Sequence, residues 1–196
     1  MEVRVAGVLL AAGEGSRLGR PKALVEIGGQ RLADRGVALL RDGGAAPVLV
    51  VTGAVSVEPP GAIVVPNPDW PTGMGSSLVA GLRALPDDVS AAVIALADQP
   101  LVGAEAVRRL IAAHRDGASV AVAGYDGRPR NPVLIARRHW PEVIAASAGD
   151  VGARVFLREH RDLVTQVECG DTGRPDDVDT PEDLARVTAV LRARDG

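Results

Sequence analysis

Apolar runs of strand length alternate along the chain with stretches whose apolar residues recur at helical spacing. Residues 3–10, 48–51, 62–65 and 91–97 are rich in Val, Ile, Leu and Ala and predict strands, the first and last of them buried. Residues 30–41 carry Leu32, Leu39 and Leu40 and predict a helix closed by Gly43-Gly44. Residues 76–85 predict a short helix stopped by Pro86. Within 104–115, Val107, Leu110, Ile111 and His114 follow the i, i+3, i+4, i+7 spacing of one helical face. Residues 119–123 and 133–136 predict a strand pair around Asp126-Gly127, followed by helices over 138–146 and 150–160 and a strand over 163–167. The last helix starts at Thr180-Pro181-Glu182-Asp183, with Thr as N-cap, Pro at the first helical position and acids in the first turn. It presents Leu184, Val187 and Leu191 for burial.

Strands that are apolar throughout need cover on both faces, and their alternation with helices implies parallel connections. The pattern predicts an α/β fold: a doubly wound, mostly parallel sheet with helices on both faces and a small antiparallel addition at 119–136.

Composition narrows the function. The chain has 196 residues, 46% hydrophobic and 24% charged, which suits one globular domain and excludes wholesale disorder. A net charge of −3 offers no basic stripe, and two Trp, one Tyr and one Phe offer no stacking platform, so a nucleic acid partner is not expected. The single cysteine, Cys169, excludes a disulfide framework and a Cys-based metal centre, and fits a reducing, cytoplasmic setting. No apolar run approaches the ~18–20 residues of a membrane helix. No signal pattern is read at the start either, because residues 8–12 run straight into a glycine loop. Of the 22 basic residues 21 are arginine, and the one lysine, Lys22, stands just after that loop.

The loop reads Leu10-Ala11-Ala12-Gly13-Glu14-Gly15-Ser16-Arg17-Leu18-Gly19-Arg20-Pro21-Lys22. It follows the first strand, at the edge where doubly wound sheets bind ligands. Gly13, Gly15 and Gly19 let backbone N–H groups face an anion, and Arg17 and Lys22 add positive charge, a combination suited to a triphosphate or pyrophosphate. The spacing Gly13-x-Gly15-x-x-x-Gly19 departs from the dinucleotide fingerprint, and Arg20-Pro21 separates Gly19 from Lys22, unlike a Walker loop. A glycine turn serving chain reversal alone would not need the two cations.

Two acids stand at further edges. Asp98 follows the strand at 91–97 and would face the loop from a neighbouring strand end, or merely cap its own strand. Asp179 precedes the last helix and could simply support its start, while Asp176 and Asp177 read as a solvated acidic turn. Gly73-Met74-Gly75-Ser76-Ser77 opens the helix at 76–85, and a serine there can cap the helix or bind an anion.

The segment from Leu10 to Lys22 resembles the signature of the sugar-nucleotide and molybdopterin nucleotidyltransferases, and within them the molybdenum cofactor cytidylyltransferase-like group. Further blocks resemble that family in the same order: 67–78, 96–100, Asn131-Pro132-Val133-Leu134 and 177–183. The resemblance implies a nucleotide-diphospho-sugar transferase-like fold, as a single NTP transferase domain over 1–196. It implies transfer of NMP from NTP, with CTP favoured by Leu10-Ala11-Ala12-Gly13, to a phosphorylated acceptor such as molybdopterin, with release of pyrophosphate. Residues 10–13 with Gly15, Ser16 and Gly19 would hold the nucleotide, Arg17 and Lys22 its phosphates, and Asp98 and Asp179 would bind Mg2+. Gly75, Ser76 and Ser77 would lie over the base and ribose, and Asn131 would face the acceptor, where the family commonly has His-Pro. Arg128 and Arg130 could hold the acceptor phosphate or form a solvated turn. A molybdoenzyme would receive the product. Three other readings stay open: an NAD(P)-dependent oxidoreductase, a name some proteins similar to this group carry; a non-catalytic nucleotide or cofactor chaperone; and, inside the class, guanylyl rather than cytidylyl transfer.

Overall fold

The structure is a computed structural model that describes residues 3–195, with side chains as far as residue 193. Residues 1, 2 and 196, which the expected single domain includes, lie outside the described residues.

Strand β1 (Val5–Leu10) is buried at every position, which is the reason its residues are apolar on both faces. Around it lie β4 (Val48–Thr52), β5 (Ile63–Pro66), β6 (Ala91–Leu96), β7 (Val120–Tyr125), β8 (Arg128–Ala136) and β9 (Val164–Glu168), in the sheet order β5-β4-β1-β6-β8-β7-β9. Only β8 runs against the others, pairing antiparallel with both β6 and β7. The expected fold class is therefore the observed one, a mostly parallel sheet with an antiparallel insertion. The β7–β8 turn falls where Asp126-Gly127 predicted it, with both residues at positive φ (52° and 72°), the conformation a two-residue hairpin turn demands.

One face of the sheet is covered by α1 (Leu32–Asp42) and α3 (Ala104–Arg115), which set Val37, Leu40, Val107 and Leu110 against Leu9, Val50 and Val93. The other is covered by α2 (Met74–Arg83), α4 (Trp140–Ala146) and α5 (Arg154–Glu159), through Leu78, Leu82, Val143 and Phe156. Helix α6 (Pro181–Asp195) packs elsewhere, burying Val187 and Leu191 with Val25, Ile27 and Leu101.

Three expectations need correction. Gln30 and Arg31 do not begin a helix: they form β3 (Gln30–Arg31), paired antiparallel with β2 (Glu26–Ile27), because Gly28 and Gly29 turn the chain at positive φ. The helix expected over 150–160 is broken, since Gly152 takes φ 51° and leaves a 3-10 turn (Gly149–Val151) before the short α5. Arg137–His139 is a 3-10 turn ahead of α4. The predicted cap of α6 is present: Thr180 Oγ1 accepts from the Asp183 N–H at 3.2 Å, and Asp183 Oδ2 accepts from the N–H groups of Asp179 and Thr180.

Tyr125 is buried, and its hydroxyl has no hydrogen-bond partner among the described residues. Burial, with the neighbouring Cys169 and Glu168, pushes its pKa up to about 12. The folded state thus holds a proton that the unfolded chain releases near pH 10, so this group withdraws stability as pH rises from about 10 toward 12. Tyr125→Phe should leave stability at pH 7 within about 1 kcal/mol of wild type and flatten the alkaline decline; urea unfolding at pH 7 and at pH 11 checks both.

Candidate active site

The strand order places the site. The chain runs outward from β1 through β4 to β5, then crosses back to β6 on the other side of β1, so a topological switch point lies between β1 and β6. The glycine loop leaves the carboxyl end of β1 there, and Asp98 leaves the end of β6. The two ends are joined where the Ala97 N–H donates to the Leu10 carbonyl at 3.1 Å.

The loop's glycines serve different ends. Gly15 takes φ 65°, and a Cβ there would stand 2.1 Å from the Arg20 carbonyl oxygen, so only glycine lets the loop close on itself. The N–H groups of Leu18 and Gly19 both return to the Gly15 carbonyl at 2.9 Å. Gly13 has neither a positive φ nor any atom within 4 Å of a built Cβ. Nothing in the fold demands glycine there, and the position opens on the cleft. After Pro21 the chain makes a 3-10 turn (Lys22–Leu24) rather than an α-helix.

That turn points Lys22 inward. Its Nζ donates to Asp98 Oδ2 at 2.7 Å and to Asp179 Oδ1, while Arg17 Nη2 lies 3.3 Å from Asp179 Oδ2. The lysine and two acid side chains are only 21%, 22% and 28% exposed, so the contact is shielded beyond that of an ordinary surface pair. Burial pulls the Lys22 pKa down, but the two carboxylates outweigh it and leave the ammonium above its ordinary value. Asp179 is free for this contact because Thr180 and Asp183 do the capping. The Val178 N–H donates to the Asp98 carbonyl at 2.8 Å and sets the two acid-bearing segments side by side.

These groups border a cleft of about 450 Å³. Residues 10–17 line it with Lys22, Ser77, Asp98 and Asp179, together with Trp70, Met74 and Asp150, which the sequence reading did not single out. Gly19, Gly75 and Ser76 do not line it. Gly75 packs on the backbone of 147–149, while Ser76 and Ser77 both accept from Asn67 Nδ2, at 2.9 and 3.0 Å. Asn131 and Arg130 line a second, larger cavity of about 1120 Å³, with Gln99 and Asp177. The acidic turn is more engaged than expected: Asp176 pairs with Arg174 and Arg186, and Asp177 accepts from Gln99 Nε2 at 2.8 Å. Arg128 does not line either cavity.

Residues 7–164 match the MobA-like NTP transferase domain. The chain belongs to that family. This MobA-like NTP transferase is 39% identical over 198 residues to nicotine blue oxidoreductase of Paenarthrobacter nicotinovorans, covering 93% of this chain and 96% of that one. It is 29% identical to the molybdenum cofactor guanylyltransferase of Rhodobacter capsulatus, over 97% and 98% of the two chains. Among solved structures, the Rv0371c homologue from Mycobacterium sp. strain JC1 superposes with a TM-score of 0.85 at 31% identity, over 98% and 99% of the two chains. The matched region spans β1 to the start of β9 and so contains the loop, Lys22 and Asp98, while Asp179 lies beyond it.

Gly15→Ala should destabilise this MobA-like NTP transferase by more than about 1 kcal/mol, through the disallowed φ and the clash with Arg20. Gly13→Ala should be neutral or stabilising by up to about 1 kcal/mol. Urea unfolding of the two variants checks the contrast.

Proposed function

We propose that the protein transfers a nucleotidyl group from an NTP in the glycine-loop cleft to a phosphorylated acceptor in the adjoining cavity, releasing pyrophosphate. The observation that supports this reading is the meeting of Lys22, Asp98 and Asp179 at the mouth of the loop. CTP is the favoured donor, on the Leu10-Ala11-Ala12-Gly13 pattern, and molybdopterin the first acceptor to try, with a molybdoenzyme as recipient of the product.

In the proposed reaction an oxygen of the acceptor phosphate attacks the α-phosphorus. A P–O bond forms, the bond from the α-phosphorus to the bridging oxygen breaks, and that oxygen leaves with pyrophosphate. A phosphate is already ionised near neutral pH, so no general base is needed and catalysis rests on positioning and charge. Backbone N–H groups between Gly13 and Arg17, with the Arg17 guanidinium, bind the β- and γ-phosphates, while those of Leu18 and Gly19 stay with the Gly15 carbonyl. Lys22 neutralises charge at the α-phosphate. Ser77 lines the cleft for the base and ribose. Gly75 and Ser76, proposed for the same contact, support its wall from behind. Asn131 offers hydrogen bonds to the acceptor but no charge.

The acids fit a hard divalent cation, because two carboxylates already turn toward one cationic atom, Lys22 Nζ. Mg2+ held by Asp98 and Asp179 would supply neutralisation of phosphate charge. Among the described residues no group of three or more His, Cys, Asp or Glu side chains gathers into a metal site.

The similarity to nicotine blue oxidoreductase favours a second reading, an oxidoreductase using NAD(P). The loop argues against it: after Pro21 no α-helix begins whose N-terminus could receive a dinucleotide pyrophosphate. A pyrophosphate-release screen with four NTPs, with and without Mg2+, against molybdopterin and other phosphorylated compounds tests the first reading. NAD(P)H binding by fluorescence, with no NTP binding, would establish the second. Lys22→Ala should lower kcat by about 10²–10³-fold with an unchanged circular dichroism spectrum, and wild-type turnover would remove its assigned role. Asp98→Asn should abolish the metal-dependent part of the rate while moving the melting temperature by only a few degrees.

A further inference from the structure

The larger cavity begins where the nucleotide cleft ends. The two share Leu96, and the larger is bordered by Gln99, next to Asp98, and by Asp177, two residues before Asp179. Its floor crosses four adjacent strands and is apolar at Leu96 on β6, Val133 on β8, Val122 on β7 and Val164 on β9, with Arg130 and Asn131 of β8 and Gln166 of β9 bordering that strip. Neighbouring strands lie about 4.8 Å apart, so this floor runs about 14 Å from the carboxylate pair to the far edge.

The far side carries a row of guanidinium groups. Arg154 and Arg158 stand one turn apart on α5, Arg161 follows in the 3-10 turn (Arg161–Leu163) beyond the helix end at His160, and all three line the cavity. Arg161 stands three residues before Val164, which anchors the row at the β9 side. Among the described residues none of the three forms an ion pair, and neither does Arg130 of β8, which borders the same cavity. Like charges at this spacing repel, and a bound anion removes the repulsion. Guanidinium forks suit an oxyanion, which they bind through paired N–H donors. The acids of the cavity do not cancel them: Asp176 is taken by Arg174 and Arg186, and Asp177 accepts from Gln99 at the near end.

We propose that the acceptor is an elongated molecule with an oxyanion at each end. Its reacting phosphate sits beside Asp98 and Asp179. Its second oxyanion, a phosphate or a carboxylate, is held by Arg154, Arg158 and Arg161, and an apolar middle lies along the four-strand floor. The proposal rests on the reading of this cavity as the acceptor's, and it stands against molybdopterin, whose single phosphate and polar pterin offer neither the second oxyanion nor the apolar middle.

Calorimetric titration with octane-1,8-diyl bisphosphate and with octyl phosphate, at one ionic strength, tests it. Wild type should bind the bisphosphate at least tenfold more tightly. R154S/R158S should bring the two ligands within about twofold of each other, and R154K/R158K should keep a preference of several-fold. Both side chains are exposed and unpaired, so the substitutions leave the core intact. Equal affinities in wild type, no binding of either ligand, or a preference that survives in R154S/R158S overturns the proposal. A titration of wild type with a non-hydrolysable NTP analogue reads the other cleft: absence of binding there counts against nucleotidyl transfer, and the bisphosphate comparison reads the arginine row by itself.

Discussion

The ammonium of Lys22 lies between two carboxylates that reach it from 76 and 157 residues further along the chain. Much of the architecture serves to deliver those three charges to one place. The 3-10 turn after Pro21 presents the lysine, and the end of β6 presents Asp98. The Thr180–Asp183 cap and the bond from the Val178 N–H to the Asp98 carbonyl present Asp179. Without the cation, two carboxylates would face each other partly out of water, an arrangement that raises the free energy of the folded state. The contact is thus both a long-range tie and a concentration of charge at the mouth of the glycine-loop cleft.

The sheet divides the chemistry at that contact. On one side lie the parallel strands β1, β4 and β5, with the glycine loop at the switch point where the strand order reverses. On the other, the reversed strand β8 sits between β6 and β7 and widens the sheet into the floor of the second cavity. A donor and an acceptor seated in these two hollows would meet near Leu96, the residue that the two hollows share, with Asp98 and Asp179 on the donor's side. Membership in the MobA-like NTP transferase family agrees with a nucleotide on the first side. The proposed assignment of the second hollow adds a demand for two anionic ends and an apolar middle.

The glycines and serines around the cleft show how one residue type answers to different constraints. Gly15 is required by the backbone, whereas Gly13 leaves empty space toward the cleft. Ser76 and Ser77 are adjacent in sequence and share one partner, Asn67, yet only Ser77 lines the cleft. A motif read as one contact surface is in three dimensions part wall and part support.

The sequence by itself determined what depends on near neighbours. Apolar runs marked the strands, helical spacing marked α1 and α3, Asp126-Gly127 marked the hairpin turn, and Thr180 marked the start of α6, because periodicity, turn chemistry and capping act within a few residues. It also singled out the glycine loop, the lone lysine and a carboxylate at a strand end, which the fold brings to one cleft. It left open whether Asp179 caps a helix or faces the cleft, and that was decided by which neighbour took the capping bond. Only the tertiary structure placed β8 between β6 and β7, turned 26–31 into a hairpin, engaged Asp176 and Asp177, and aligned Arg154, Arg158 and Arg161 along one cavity. Those outcomes depend on contacts between segments far apart in the chain, whose free energy is shared among many residues and leaves no local mark on any of them.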